Sequence, residues 1–596
     1  MSYFLKKTTP SKKGTYLQIY ESFYISGKGK RNKSFKKIGY VTDLIESGIK
    51  DPISHFQVEV DVLNKELNLK KEKQISDTSV LKFAGHFLVS SLFNLLNMDK
   101  DLNAVASNFK CHYKFSELFK TLCYSQIISP GSKYKAFEKV IPNIYGASSY
   151  SYDQILDCIN FIGSDYHKYI EILNKHISTL WKRDYSKVYF DCTNYYFEID
   201  LENDFQRKGP SKENQKSPLV AQALMLDANQ IPLDTEFFPG NESEKPYLRE
   251  RVEDMKVRNN VTGKVIQVAD KGLNCARNIY SAVIEAKDGY IFSKSIKGTS
   301  LTEEQKKWIT SSDDEFNCWT SVYDKTGNLI YKYKTVKTRL SDNKALDYGT
   351  YEYKCKINKD DKKETKFEVK EKRIVTYNPK LAQKQKKEIL KEVEKITKLM
   401  SYKKVLKDEL GDSAKYVNLS ASTNEGEKVK IVTSLNQEKI NQDLEYAGYN
   451  LLITSEINSK PEDIYKIYHN LWRIEESFRI LKTQLEARLA YVSNKNTILG
   501  HFTVCHISLT LMRLLELKIF NDELPVSQLF NFIRQYNVVE SYDNNYINTS
   551  SKSDVYEYIK EKLGLSKLGN VYLSKKDIDL LFETEFDIQL NTPNEG

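Results

Sequence analysis

Three carboxylates stand in this chain where carboxylates are uncommon. Asp191 falls inside KVYFDCTNYYFEI, a run of aromatic and β-branched residues, and Asp270 ends the apolar stretch of VIQVADKGL. Glu475 lies in DIYKIYHNLWRIEESFRILKTQLEARLA, on the border of an apolar stripe. An ionised carboxylate taken out of water without a partner is expensive, so each position asks for a reason. Alone, Asp270 reads as a structural residue, because Asp-Lys-Gly suits a turn. Together, the three suit hard divalent cations, since carboxylates ligate Mg²⁺ while it keeps waters and takes substrate phosphate. Two such ions, about 3.5–4 Å apart, activate an attacking oxygen and stabilise a leaving one in phosphodiester transfer. In that arrangement Asp191 bridges two Mg²⁺ ions, for which Mn²⁺ can substitute, while Asp270 and Glu475 each hold one. A second donor group is His501, Cys505 and His506 in GHFTVCHISLTLMRLLEL, a strongly apolar helix where core packing is the better reading. No two of the eight cysteines form a CxxC pair, which leaves reduced thiols as the expectation.

These side chains need a frame. Ile464, Ile467, Leu471, Ile474, Phe478, Leu481 and Leu485 recur in steps of three and four, which predicts one continuous amphipathic helix over 463–490. Pro461, Glu462 and Asp463 suit its first turn. At about 100° per residue, Tyr468, Glu475 and Lys482 stack along the border of the stripe, and Glu476 points away from it toward solvent. Upstream, strands are predicted at Lys187–Ile199, Leu219–Leu226, Ile231–Phe238, Lys264–Ala269 and Gly289–Lys294, with a helix over Glu244–Lys256. Strand, strand, strand, helix, strand is the order of the first half of a ribonuclease-H-like fold. Tyr449–Thr454 is a further core strand leading into the long helix.

The flanks divide by composition. Residues 1–40 carry ten Lys and Arg against one acid, out of a net charge of +10 for 596 residues. Such a concentration is the footprint of a polyanion partner, although a solvated leader has the same composition. Tyr16–Ser26 and Ser34–Val41 read as a hairpin whose basic tip includes Lys28, Lys30 and Arg31. We therefore expect a basic β-rich unit at 1–70 and a helical module at 75–180, with helices at Val80–Leu96, Phe115–Ile128, Tyr152–Ile162 and Tyr166–Trp181. A catalytic core follows at 185–295 and 446–515, interrupted by a β-rich insertion with one charged helix at 300–445. A helical region and tail close the chain at 516–596. The fold class expected is an α/β core, ribonuclease-H-like, a mixed sheet flanked by helices. No apolar run reaches the ~18 residues of a membrane span, so no membrane partner is expected.

The segments YFDCTNYYFE, VADKGL and YHNLWRIEESFRILK resemble those of bacterial insertion-sequence transposases of the DDE type, in the class with a Tyr-Arg-Glu-Lys signature. Tyr468, Glu475 and Lys482 match the signature at spacings of seven, while its arginine falls at Leu471. PLDTEFFPGN and the late GHFTVCHISLTL agree as well, so the resemblance covers roughly residues 115–515. It implies two-metal cleavage of both DNA strands and joining of the 3′ ends to target DNA, with Asp191, Asp270 and Glu475 as catalytic ligands. It also implies double-stranded DNA partners, namely terminal inverted repeats and target DNA, and a homodimer in a synaptic complex near the nucleoid in the cytoplasm. Tyr468 and Lys482 would hold phosphates. Arg479 is a further DNA-contact candidate, as is Trp472, whose face at about 140° from the stripe centre needs a cover from protein or from stacked bases. Two other readings are a decayed, repressor-like DNA-binding copy and a metal nuclease that cuts without joining.

Overall fold

The computed structural model describes residues 2–11, 14–25, 29–72, 79–107, 111, 113–209, 217–297, 301–312, 318–339, 345–402, 411–422, 430–488, 494–541 and 545–588. The N-terminal unit is a three-stranded antiparallel sheet, β1 (Ser2–Ser11), β2 (Gly14–Ile25) and β3 (Gly29–Tyr40), with helix α1 (Pro52–Glu72) packed on β1. The expected hairpin thus gains a strand. The added strand is the first ten residues after Met1, which pair with β2 from Ser2 opposite Ser22 to Ser11 opposite Gly14, against the alternative of a solvated leader. Lys28 lies outside the described residues, whereas Lys30 and Arg31 are exposed on β3.

In place of the single helix expected over Val80–Leu96, the chain forms strand β4 (Leu81–Phe83) and then helix α2 (Phe87–Leu96). The reason is a long-range pairing invisible to local periodicity, since β4 pairs with a strand near the C-terminus. Gly85 allows that approach, because a side chain there would strike the Ile533 carbonyl. Helices α3 (Phe115–Ile128), α4 (Tyr152–Ser164) and α5 (Tyr166–Leu180) lie close to the expected bounds.

The central sheet begins with β5 (Lys187–Tyr196), β6 (Leu219–Leu226) and β7 (Pro232–Pro239), an antiparallel meander. Helix α6 (Lys245–Arg258) then leads to β8 (Ile266–Ala269), and β9 (Gly289–Lys294) follows. Strand β8 runs parallel to both β5 and β9. The mixed sheet and the element order are those expected from the sequence. Strands β10 (Thr320–Tyr323), β11 (Leu329–Thr335), β12 (Gly349–Cys355) and β13 (Thr365–Tyr377) come next, then helix α7 (Pro379–Tyr402) and β14 (Tyr449–Thr454). Among the described residues ten strands form one sheet in the order β10-β11-β13-β14-β9-β8-β5-β6-β7, with β12 paired to β13. Much of the β-rich insertion therefore extends the core sheet through β13 and β14 instead of standing apart.

Alternation along β5 sorts the two layers. Val188, Phe190 and Cys192 join a core with Leu248, Val252 and Met255 of α6. Tyr189 and Tyr195 face a larger core built from α2, α3, α4 and α5. That larger core also takes the helices that follow β14: α8 (Pro461–His469), α9 (Trp472–Arg479) and α10 (Lys495–Leu514). Helix α10, continued to Ile519, is long and apolar enough to cross a membrane by length and composition, and its most apolar 18 residues are all buried inside this fold. The C-terminal part, expected to be helical, also contributes β15 (Asn537–Glu540), β16 (Asn545–Asn548) and β17 (Tyr572–Ser574) to a small sheet with β4.

Candidate active site

The parallel pairing of β5 with β8 sets Phe190 opposite Ala269, so Asp191 and Asp270 are the next residues along neighbouring strands. Paired strands lie about 4.8 Å apart. Tyr189 and Tyr195 on β5 and Val268 on β8 face the helical layer, and by the two-residue period Asp191 and Asp270 belong to that same face. Helix α9 packs over β5 on that side and carries Glu475. Asp270, Tyr468 and Glu475 line one cavity of about 500 Å³, which Ser293, Lys294 and Asn450 also border. Helix α7 also lines it, with Gln385, Glu388 and Glu392, and Gln385 accepts a 2.8 Å hydrogen bond from the Gly448 N–H.

The expected continuous helix is interrupted. Leu471, Arg473 and Ile474 donate their N–H groups to the carbonyls of Tyr468, Asn470 and Leu471, three residues back instead of four, which splits α8 from α9. A wider π turn follows at Ile480–Gln484. Tyr468, in the last turn of α8, donates from its hydroxyl to Asp270 Oδ1 at 3.0 Å. Glu475, in the first turn of α9, is pushed above the usual carboxylate range by burial and then by the charge of Asp270, with Lys384 of α7 opposing. Lys482 lies with its ammonium 5.7 Å from the ring centre of Tyr195, on the strand that bears Asp191.

Glu476 does not face solvent as expected. Arg513 of α10, fully buried, donates to its Oε2 at 2.9 Å, and Arg473 reaches the same oxygen at 3.1 Å. Glu516 and Asp522 complete the cluster, at 2.6 Å from Arg513 and Arg473 respectively. Burial would raise the Glu476 carboxyl, but the two guanidiniums outweigh it and hold it below its usual range. A helical wheel assumes one buried side; α9 is covered on two, by the sheet and by α10. Arg479 stays exposed and meets Glu476 at 3.3 Å. Trp472 is 39% exposed, and the cation over its ring, at 4.2 Å, is its own neighbour Arg473. The expected protein cover is therefore incomplete among the described residues. His501, Cys505 and His506 are core residues, with His501 Nε2 3.0 Å from the Ala487 carbonyl.

The donor set of Asp191, Asp270 and Glu475 has the hard-oxygen chemistry a divalent cation takes. Burial raises Glu475 most and the charge of Asp270 adds to it; a cation between the carboxylates would relieve that second, repulsive part. Among the described residues, however, no three of His, Cys, Asp and Glu come close enough to hold one ion. Strand β5 and the end of β8 bring up the two aspartates, and helix α9 brings up Glu475. Sequence reasoning missed Ser293, Lys294 and Asn450, which border the cavity from β9 and β14; the Ser-Lys ending of GYIFSK was the available signal.

Residues 178–511, more than half of the chain, match the family described as "Transposase DDE domain". No curated protein matches the chain.

Proposed function

The chain belongs to the transposase DDE-domain family, and on that premise we propose that it binds the terminal inverted repeats of an insertion sequence, cleaves there and joins the 3′ ends to target DNA. The observation that carries this reading is the level placement of Asp191 and Asp270 on parallel strands, with Asp270 and Glu475 facing one cavity. Members of the family use divalent metal ions. Here Asp191, Asp270 and Glu475 would hold two Mg²⁺ ions, or Mn²⁺ in their place, which supply Lewis acidity toward phosphate oxygens.

The chain's own residues orient the reacting strand. Lys482, beside β5, offers a point charge to a phosphate. Arg479, exposed at the end of α9, and the exposed part of Trp472 extend that track for backbone and bases. The basic strand β3, with Lys30 and Arg31, reads the repeat end, and two copies of the chain pair two ends.

The test is Mg²⁺-dependent cleavage of a labelled duplex carrying the inverted repeat that flanks the gene. Glu475→Gln keeps size and removes the charge that holds a cation. It is expected to abolish cleavage and joining while repeat binding persists. Retained cleavage would reject Glu475 as a metal ligand. Cleavage without joining by the unaltered chain would make it a nuclease.

A further inference from the structure

We propose that Tyr468 is a positioning residue for Asp270: its hydroxyl fixes one oxygen of that carboxylate and leaves the other for a divalent cation. The inference rests on the reading of the acids given above and assigns Tyr468 a task distinct from the phosphate contact its sequence motif implies. A phenol has one proton to give. In this structure that proton goes to Asp270 Oδ1 at 3.0 Å. Ser293 and Asn450 lie against the same hydroxyl from β9 and β14, and Ser293 in turn donates to Asn450 Oδ1 at 3.0 Å. The Tyr468 oxygen is therefore engaged from several sides, and its direction is set by the sheet. A proton committed to Asp270 is not available to a phosphate.

The break between α8 and α9 adds to the argument. It places Tyr468 and Glu475 on separate helices, so Asp270 is gripped by one element while Glu475 is delivered by another. Carboxylate ligands are commonly oriented by such outer hydrogen bonds, whose loss costs about 10–100-fold in metal affinity.

Tyr468→Phe in the full chain removes the hydroxyl and keeps the ring. Mg²⁺ binding is titrated by calorimetry without DNA, and affinity for the inverted-repeat duplex is measured in EDTA. The expected result is Mg²⁺ affinity weakened about 10-fold, with duplex affinity unchanged. The Mg²⁺ concentration for half-maximal cleavage should rise in step, and the rate should recover at saturating Mg²⁺. Unchanged Mg²⁺ affinity with weakened duplex binding overturns the proposal in favour of a phosphate contact. No change in either quantity overturns it outright. If Asp270→Asn leaves Mg²⁺ affinity intact, the reading of the acids fails, and the positioning role with it.

Discussion

Glu475 and Glu476 are neighbours with opposite tasks, and the difference is set by what lies across from each. Glu475 meets another acid, and Glu476 meets two guanidiniums. Removing one partner of a buried ion pair leaves the other charge stranded. Glu476→Gln is therefore expected to lower folding stability by about 2–4 kcal/mol, read as a fall in the urea midpoint, because Arg513 loses one of its two carboxylate partners and keeps Glu516 beside the neutral Ser477 hydroxyl and Arg473 carbonyl. A stability equal to that of the unaltered chain would show that Glu516 alone satisfies Arg513. The position of Glu475 at the edge of the stripe was legible from spacing. The tie of Glu476 was not, because Arg513 sits in what reads as an unbroken apolar helix and nothing local announces its partner. Tyr468 was legible as a motif residue, and its bond to Asp270 was not, since it depends on the interruption after His469.

At the scale of elements, the strands that carry the aspartates were legible because buried strands advertise themselves through runs of aromatic and β-branched residues. Helix ends were legible where caps are strong: Ser151 and Gln154 form a reciprocal capping box at the start of α4. Helix packing was less so. Gly163 of α4 and Gly500 of α10 lie where these helices cross, and an added Cβ on either would strike a backbone carbonyl of the other helix. Gly500→Ala should force the pair apart and cost about 1–3 kcal/mol, more than its gain in helix propensity. A thermal melt above that of the unaltered chain would refute the close crossing. On β3, Lys30→Ala with Arg31→Ala in the full chain should weaken repeat binding. The slope of log affinity against log salt should flatten by about 0.9 for each phosphate that the altered strand no longer neutralises. An unchanged slope would remove β3 from the DNA interface.

The whole molecule buries histidines that cannot charge. His86 and His506 are pushed down to about 3 by burial, and His501 is also held well below its ordinary value. Below pH 6.5 the unfolded chain takes up protons on these rings and the folded chain does not. Stability is thus full above pH 6.5 and falls as pH drops toward 3. Each ring contributes about 1.4 kcal/mol per pH unit in that window, and three together about 4. Urea midpoints should be flat from pH 8 to 7 and decline steeply from 6.5 to 5; a level profile through pH 5 would contradict neutral buried rings. At this scale the sequence was least legible. The fusion of the insertion with the core sheet rests on β13 beside β14, and the pairing of β4 with β15 spans most of the chain. Neither leaves a trace in local periodicity.

The seat of β14 between β9 and β13 has a consequence for synthesis. Strand β9 leaves the ribosome roughly 150 residues before β14, which at about 5–20 residues per second leaves its edge bare for roughly 8–30 s. An unpaired, apolar strand edge is a template for strands of other chains. A chain ended after Glu445 keeps that edge permanently, and it is expected in the insoluble fraction on expression, where one ended after Phe586 stays soluble. Soluble, monomeric product from the shorter chain would mean that another segment shields β9 while the nascent protein waits.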